Sequence, residues 1–138
     1  MADRDIFITE ADHEKLTQLL EGARQRQHRD LGHVEQLDAE LDRAHIVAAA
    51  EIPPDVVTMN SQVALRDLDT GGEMVLTLVF PHEANVDQRK VSVLAPLGTA
   101  VLGYRGGDII EWQVPGGARR LEVERVLYQP EAAVNKEG

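Results

Sequence analysis

Val91–Gly117, VSVLAPLGTAVLGYRGGDIIEWQVPGG, is the stretch on which the fold turns. It divides into a strand, an Ala95-Pro96-Leu97-Gly98 turn, one short apolar helix, a Gly106-Gly107-Asp108 turn, a second strand and a Pro115-Gly116-Gly117 turn. Each joint has a local cause. Pro96 lacks the donor that would extend the strand before it, yet its fixed φ suits a first helical turn. Gly106-Gly107 supplies positive φ for a tight reversal, and Asp108 can bond its neighbouring backbone. Ile109, Ile110 and Trp112 then predict a largely buried strand.

Around this stretch the apolar period is two. Val63 and Leu65 alternate with Ala64 and Arg66, and Asp69-Thr70-Gly71-Gly72 predicts a hairpin turn. Met74–Phe80 is apolar on both faces, the pattern of a central strand, and His82–Lys90 is a polar loop. Leu121–Tyr128 predicts the last strand, with Leu121, Val123 and Leu127 alternating with Glu122 and Glu124. About five or six strands and one short helix predict a small antiparallel sheet.

Upstream the period changes to that of a helix. Thr9 followed by Asp12 forms a capping box with Asp in the usual Glu place. Leu16, Leu19, Leu20 and Ala23 share one face, predicting a helix from about Glu10 to Arg24 that Gly22 weakens near its end. Val34, Leu37, Leu41, Ala44 and Ala48 predict a second helix, from near Gly32 to about Ala49, with the narrow seam of a coiled coil. Folding both as an antiparallel hairpin buries the two stripes together, in a rod on the order of 25 Å long. Ile52-Pro53-Pro54-Asp55 ends the second helix. The expected fold class is α+β: an antiparallel two-helix (short coiled-coil) hairpin over residues 1–52, then the sheet unit over residues 53–138. The Pro-Pro hinge between them sets their orientation.

The 138 residues suffice for one ordinary domain or two small ones. With no cysteine, disulfides, thiol catalysis and thiolate metal sites are excluded. Aromatics make up only 4% of the chain, which argues for an aliphatic core and against an aromatic-lined pocket. The five histidines lack a metal-ligand spacing such as HExxH, and no GxxxxGK[ST] or GxGxxG phosphate loop occurs, so no cofactor is expected. Met1–Lys15 lacks the pattern of a signal peptide and no apolar run reaches the length of a membrane span, which points to a cytoplasmic protein. A net charge of −10 disfavours direct nucleic-acid binding; it serves solubility, or steers acidic faces toward a basic cleft.

Four blocks give the chain a specific resemblance: Leu37–Ala44 (LDAELDRA), Ile52–Ser61 (IPPDVVTMNS), Leu94–Gly98 (LAPLG) and Tyr128–Ala133 (YQPEAA). Over nearly its whole length it resembles the Rnk family, regulators of nucleoside diphosphate kinase. Its second half alone resembles the C-terminal domain of Gre-type transcription factors, through Asn60–Val63, Ser92–Gly98, Gly107-Asp108 and Pro115-Gly116-Gly117. The resemblance implies an FKBP-like sheet wrapped around the short helix, and docking on RNA polymerase at the rim of its secondary channel. Carried over residue by residue, the docking loop is Ser92, Leu94, Ala95, Pro96, Leu97 and Gly98. Leu94 stands where the cleavage factors carry Asp or Asn, so an apolar contact replaces a polar one. The alternative is a loop that merely joins strand to helix.

Gre-type transcript cleavage requires two acids at the hairpin tip, Asp-Leu-x-Glu, because a divalent cation needs more than one carboxylate. Here the tip, Arg24–His33, keeps Asp30-Leu31 but places His33 at the second acid. Glu35 falls on a different side of the helix, and Arg24, Arg26 and Arg29 surround Asp30 with positive charge, so catalysis is not expected. The arginines either form a solvated helix–helix junction or probe an acidic or phosphate surface in the channel. Two functions follow: a non-catalytic polymerase-docking regulator that competes with Gre factors, or a regulator of nucleoside diphosphate kinase acting by contact or on its level.

Overall fold

The structure, a computed structural model, describes residues 6–25, 31–114 and 116–137. Helix α1 (Glu10–Gln25) begins where expected: the Thr9 hydroxyl accepts from the Asp12 N–H at 3.1 Å, covering one of the open donors of the first turn. The reciprocal half of the capping box is missing, because the Asp12 carboxylate is bonded elsewhere. Gly22 does not stop α1, which runs on to Gln25.

Helix α2 (Leu31–Arg43) stops well before Ala49. The chain leaves it to form β2 (His45–Val47), which lies parallel to β1 (Phe7–Thr9), a strand that sequence reasoning did not foresee. The His45 N–H donates to the Ile6 carbonyl at 2.9 Å, so α2 ends beside the start of α1. Pairing with β1 outweighs the helical preference of Ala48–Ala50, a tertiary effect on a weak local one. Leu16, Leu20, Leu37 and Leu41 are buried between the helices, each contributing about 1.5–3 kcal/mol through apolar burial. Ala44 packs at the edge of this stripe and Ala48 lies past the helix.

A second sheet has five strands in the order β5-β4-β3-β7-β6. These are β3 (Gln62–Asp67), β4 (Glu73–Val79), β5 (Lys90–Ser92), β6 (Ile109–Val114) and β7 (Gly117–Tyr128). Every pairing is antiparallel except β4 with β5, which is parallel, so the sheet is mixed where a purely antiparallel one was expected. The loop from Phe80 to Arg89 carries the chain back to run alongside β4 in the same direction. β4 is interior, as its two-faced apolar pattern predicts. Ile109 is exposed rather than buried: β6 is an edge strand, and only Ile110 of that pair faces the core. Leu127 is exposed as well, because register shifts along β3 and β7 displace it from the alternation that buries Leu121 and Val123.

The turns follow their sequence causes. Asp67 Oδ1 accepts from the N–H groups of Asp69 and Thr70, and Gly71 takes φ +79°. Asp108 accepts from the Arg105 N–H at 2.9 Å, and Gly107 sits at φ +94°. Helix α3 (Pro96–Val101) packs on β5, β6 and α2.

The YQPEAA block has a structural role. Pro130 opens a further helix, α4 (Pro130–Glu137). Just before it, the Gln129 side-chain amide donates to the Pro53 and Val56 carbonyls, each at 2.8 Å. Glu131 accepts from the Thr58 hydroxyl at 2.7 Å. The tail thus clamps the Pro-Pro segment from the far end of the chain. One apolar cluster joins Leu16 and Leu37 of the helices to Val57, Met59, Leu65 and Leu78 of the sheet region.

Candidate functional site

The expected docking loop leaves β5 at Ser92 and enters α3 at Pro96. The Ser92 hydroxyl accepts from the Leu94 N–H at 3.0 Å, and the Ser92 carbonyl accepts from the Ala95 N–H at 3.0 Å, folding the four residues tightly. The buried Thr99 hydroxyl then donates to the Val93 carbonyl at 2.6 Å, tying helix to strand. Gly98 faces the loop so closely that a Cβ there would lie 2.1 Å from the Ser92 carbonyl oxygen. The loop therefore has one shape, held from both sides.

Its six residues divide by direction. Ser92, Ala95 and Leu97 line an open apolar groove of about 500 Å³, while Leu94 packs against the hydrophobic cluster and Gly98 is buried. Pro96 contributes its place at the head of α3. The floor of the groove is the Met74–Leu76 stretch of β4 with Val91 of β5. Its far wall is a loop that sequence reasoning passed over as merely polar. The Asn85 and Lys90 backbones bond each other in both directions, at 3.0 and 2.9 Å, and Arg89 takes φ +57°. That reversal presents Val86, 91% exposed, and sets Arg89 and Lys90 beside the apolar floor. The lone valine in HEANVDQRK was the available signal.

The other expected site, the hairpin tip, falls mostly outside the described residues. Arg26, Arg29 and Asp30 lie there, and Arg24 is placed only as part of the last turn of α1. Among the described residues, no group of three or more His, Cys, Asp or Glu could hold a metal ion, and no helix is long and apolar enough to cross a membrane.

Where the site joins the helical half, Arg43 at the end of α2 binds Glu40 through two bonds of 3.0 and 3.1 Å and donates to the Tyr104 hydroxyl at 2.8 Å. The hydrogen bond to Glu40 strengthens the hold of Arg43 on its proton. Burial pushes the Tyr104 hydroxyl up from its ordinary value, keeping it neutral.

Comparison with known proteins assigns both halves. Residues 4–47 match the family described as Rnk N-terminus, and residues 52–128 match the C-terminal domain of the GreA/GreB transcription elongation factors. Over 134 residues the chain is 46% identical to the regulator of nucleoside diphosphate kinase of Escherichia coli (strain K12), covering 96% of each. The chain belongs to the Rnk family. This Rnk-family chain is also 35% identical over 98 residues to the transcription elongation factor GreA of Hyphomonas neptunium, covering 71% of itself and 62% of that protein. Among solved structures it superposes on a prokaryotic transcription elongation factor GreA/GreB from Nitrosomonas europaea with a TM-score of 0.75. The two are 43% identical, over 90% of this chain and 100% of that one. The fold is thus of the GreA/GreB kind, and both matched families are regulatory by name.

Proposed function

We propose that this Rnk-family protein is a non-catalytic cytoplasmic regulator that docks on RNA polymerase at the rim of the secondary channel and competes there with Gre-type cleavage factors. The observation that carries the reading is the groove: three of the six loop residues, Ser92, Ala95 and Leu97, border an open apolar trough on the Gre-type half of the chain. Leu94, the position at which a Gre-like polar contact is lost, is half-buried against the core cluster and is not on the groove lining. An apolar trough edged by Arg89 and Lys90 suits a rim segment that offers apolar side chains flanked by carboxylates. In the same reading the helices form a short coiled coil, residues 1–52, carried by an FKBP-like unit, residues 53–138. The tip with Arg24, Arg26, Arg29 and Asp30 enters the channel without assembling a metal site.

The test is capture of core RNA polymerase on the purified protein, with and without excess Gre factor. Retention that the Gre factor displaces supports the proposal. No retention at micromolar concentration overturns it.

A second reading rests on the 46% identity to a protein named as a regulator of nucleoside diphosphate kinase. It predicts that the purified chain changes the activity of that kinase, or binds it, without polymerase present.

A further inference from the structure

A second groove, unrelated to the docking loop, runs between α1 and the sheet region and encloses about 750 Å³. Small-molecule sites commonly occupy about 300–1,000 Å³ and combine apolar walls with a few polar groups. This groove has that make-up. Lys15, Gln18 and Gly22 line it from one face of α1, while Asn60, Phe80, His82 and Glu83 line it from the other side. The Phe80 and His82 rings lie nearly parallel, centroids 6.4 Å apart and planes inclined by 20°. So the sparse aromatics of this chain include a stacking platform at a groove wall.

Two backbone features border the groove. Gly22 sits inside an uninterrupted helix, where Ala would be favoured by about 1 kcal/mol. It lies on the groove wall. Asn60 also lines the groove, and its φ of +68° belongs to the third position of the Thr58–Ser61 turn, closed by the Ser61 N–H donating to the Thr58 carbonyl at 3.0 Å.

We propose that this groove binds a purine nucleoside monophosphate. The ring extends the Phe80–His82 stack, and a purine offers a larger stacking face than a pyrimidine. Glu83 accepts from the exocyclic amine, and the amides of Gln18 and Asn60 meet ribose hydroxyls or ring nitrogens. Lys15 holds the phosphate. Among the described residues it is the one lysine or arginine on the lining, and Glu83 opposes further negative charge, so one phosphate fits these residues better than two or three. The ligand would bridge α1 and the sheet region. The proposal does not depend on the polymerase reading, since it concerns the isolated chain.

The experiment is a calorimetric titration of the purified full chain with AMP, then with adenosine and with inorganic phosphate. Lys15→Glu and His82→Ala accompany it, both at exposed positions, with unchanged thermal melts as the check on folding. Saturable AMP binding with Kd on the order of 100 µM is expected. Lys15→Glu should weaken it about tenfold and His82→Ala about fivefold, with inorganic phosphate binding at least about tenfold more weakly than AMP. No saturable binding at millimolar AMP overturns the proposal. So does unchanged affinity in both folded variants, or inorganic phosphate binding as tightly as AMP.

Discussion

The Asp12 carboxylate in α1 accepts a hydrogen bond of 3.2 Å from the backbone N–H of Met59, 47 positions along the chain, and so fastens the helical half to the segment that leads into β3. Burial pushes its pKa up from 3.8 to about 6; the Glu131 charge adds to that, while the Met59 N–H, Lys15 and Thr9 work against it. The folded chain therefore binds this proton more tightly than the unfolded chain does. Its stabilising effect is complete below the unfolded value and is lost as pH rises through about 6. Above that pH, holding the buried charge costs on the order of 3 kcal/mol. Asp12→Asn keeps an acceptor for Met59 and removes the charge. Urea unfolding should find the variant more stable by about 1–3 kcal/mol at pH 7.5, with the gap closing toward pH 4.5. A gap independent of pH would show that Asp12 is not the linked group.

Gly98→Ala tests how rigid the docking loop is. The added carbon would meet the Ser92 carbonyl oxygen at 2.1 Å, against backbone that cannot swing aside. α3 must then shift from β5, breaking the Thr99–Val93 hydrogen bond. A loss of about 3 kcal/mol or more is expected in urea unfolding. Gly72→Ala, whose Cβ would meet only the flexible Thr70 hydroxyl at 3.4 Å, is the control and should cost under about 1 kcal/mol.

The tail makes a sharper prediction than its length suggests. Gln129→Ala strips partners from the Pro53 and Val56 carbonyls, the latter bond being buried. The Pro53 carbonyl keeps the Val56 N–H at 3.2 Å, so one buried acceptor is left unpaired, which should cost about 1–3 kcal/mol by thermal or urea unfolding. Glu131→Gln keeps an acceptor for Thr58 and lowers the negative charge near Asp12, so it should cost less than about 1 kcal/mol at pH 7.5. Equal losses in the two variants would mean that the tail is held by something other than these amide bonds.

What the sequence made legible was whatever a local cause decides. Pro96 at the head of α3, the Asp69–Gly72 and Gly106–Asp108 turns, and the start of α1 after Thr9 all follow from the chemistry of three or four neighbouring residues, though the side chain that holds the first turn is Asp67. What it hid was decided at a distance. β1 and β2 are three-residue strands that exist only in each other's company, 38 positions apart at Phe7 and His45, and no window around either shows them. The parallel β4–β5 pair and the displaced Leu127 depend on which strand is neighbour to which. The same holds for the candidate site. Ser92–Gly98 was readable by resemblance, whereas the groove beside it needs Met74 from β4 and Val86 from a loop, brought together only by the sheet.

That placement changes how docking should be tested. Leu94→Asp is the substitution the sequence invites, since it restores the acid of the cleavage factors, but Leu94 is half-buried against the core cluster and a carboxylate there would unsettle the fold. Val86→Asp and Arg89→Glu alter residues that are exposed and belong to the groove wall, so the fold should stay intact. If the groove is the polymerase contact, Val86→Asp should weaken capture of core polymerase about tenfold or more by placing a charge against an apolar partner. Arg89→Glu should act mostly on the association rate, with a loss of about three- to tenfold that shrinks as salt is raised. Surface plasmon resonance at two ionic strengths separates the two effects. If both variants are captured like the unaltered protein, with unchanged melting, the groove is not the docking surface.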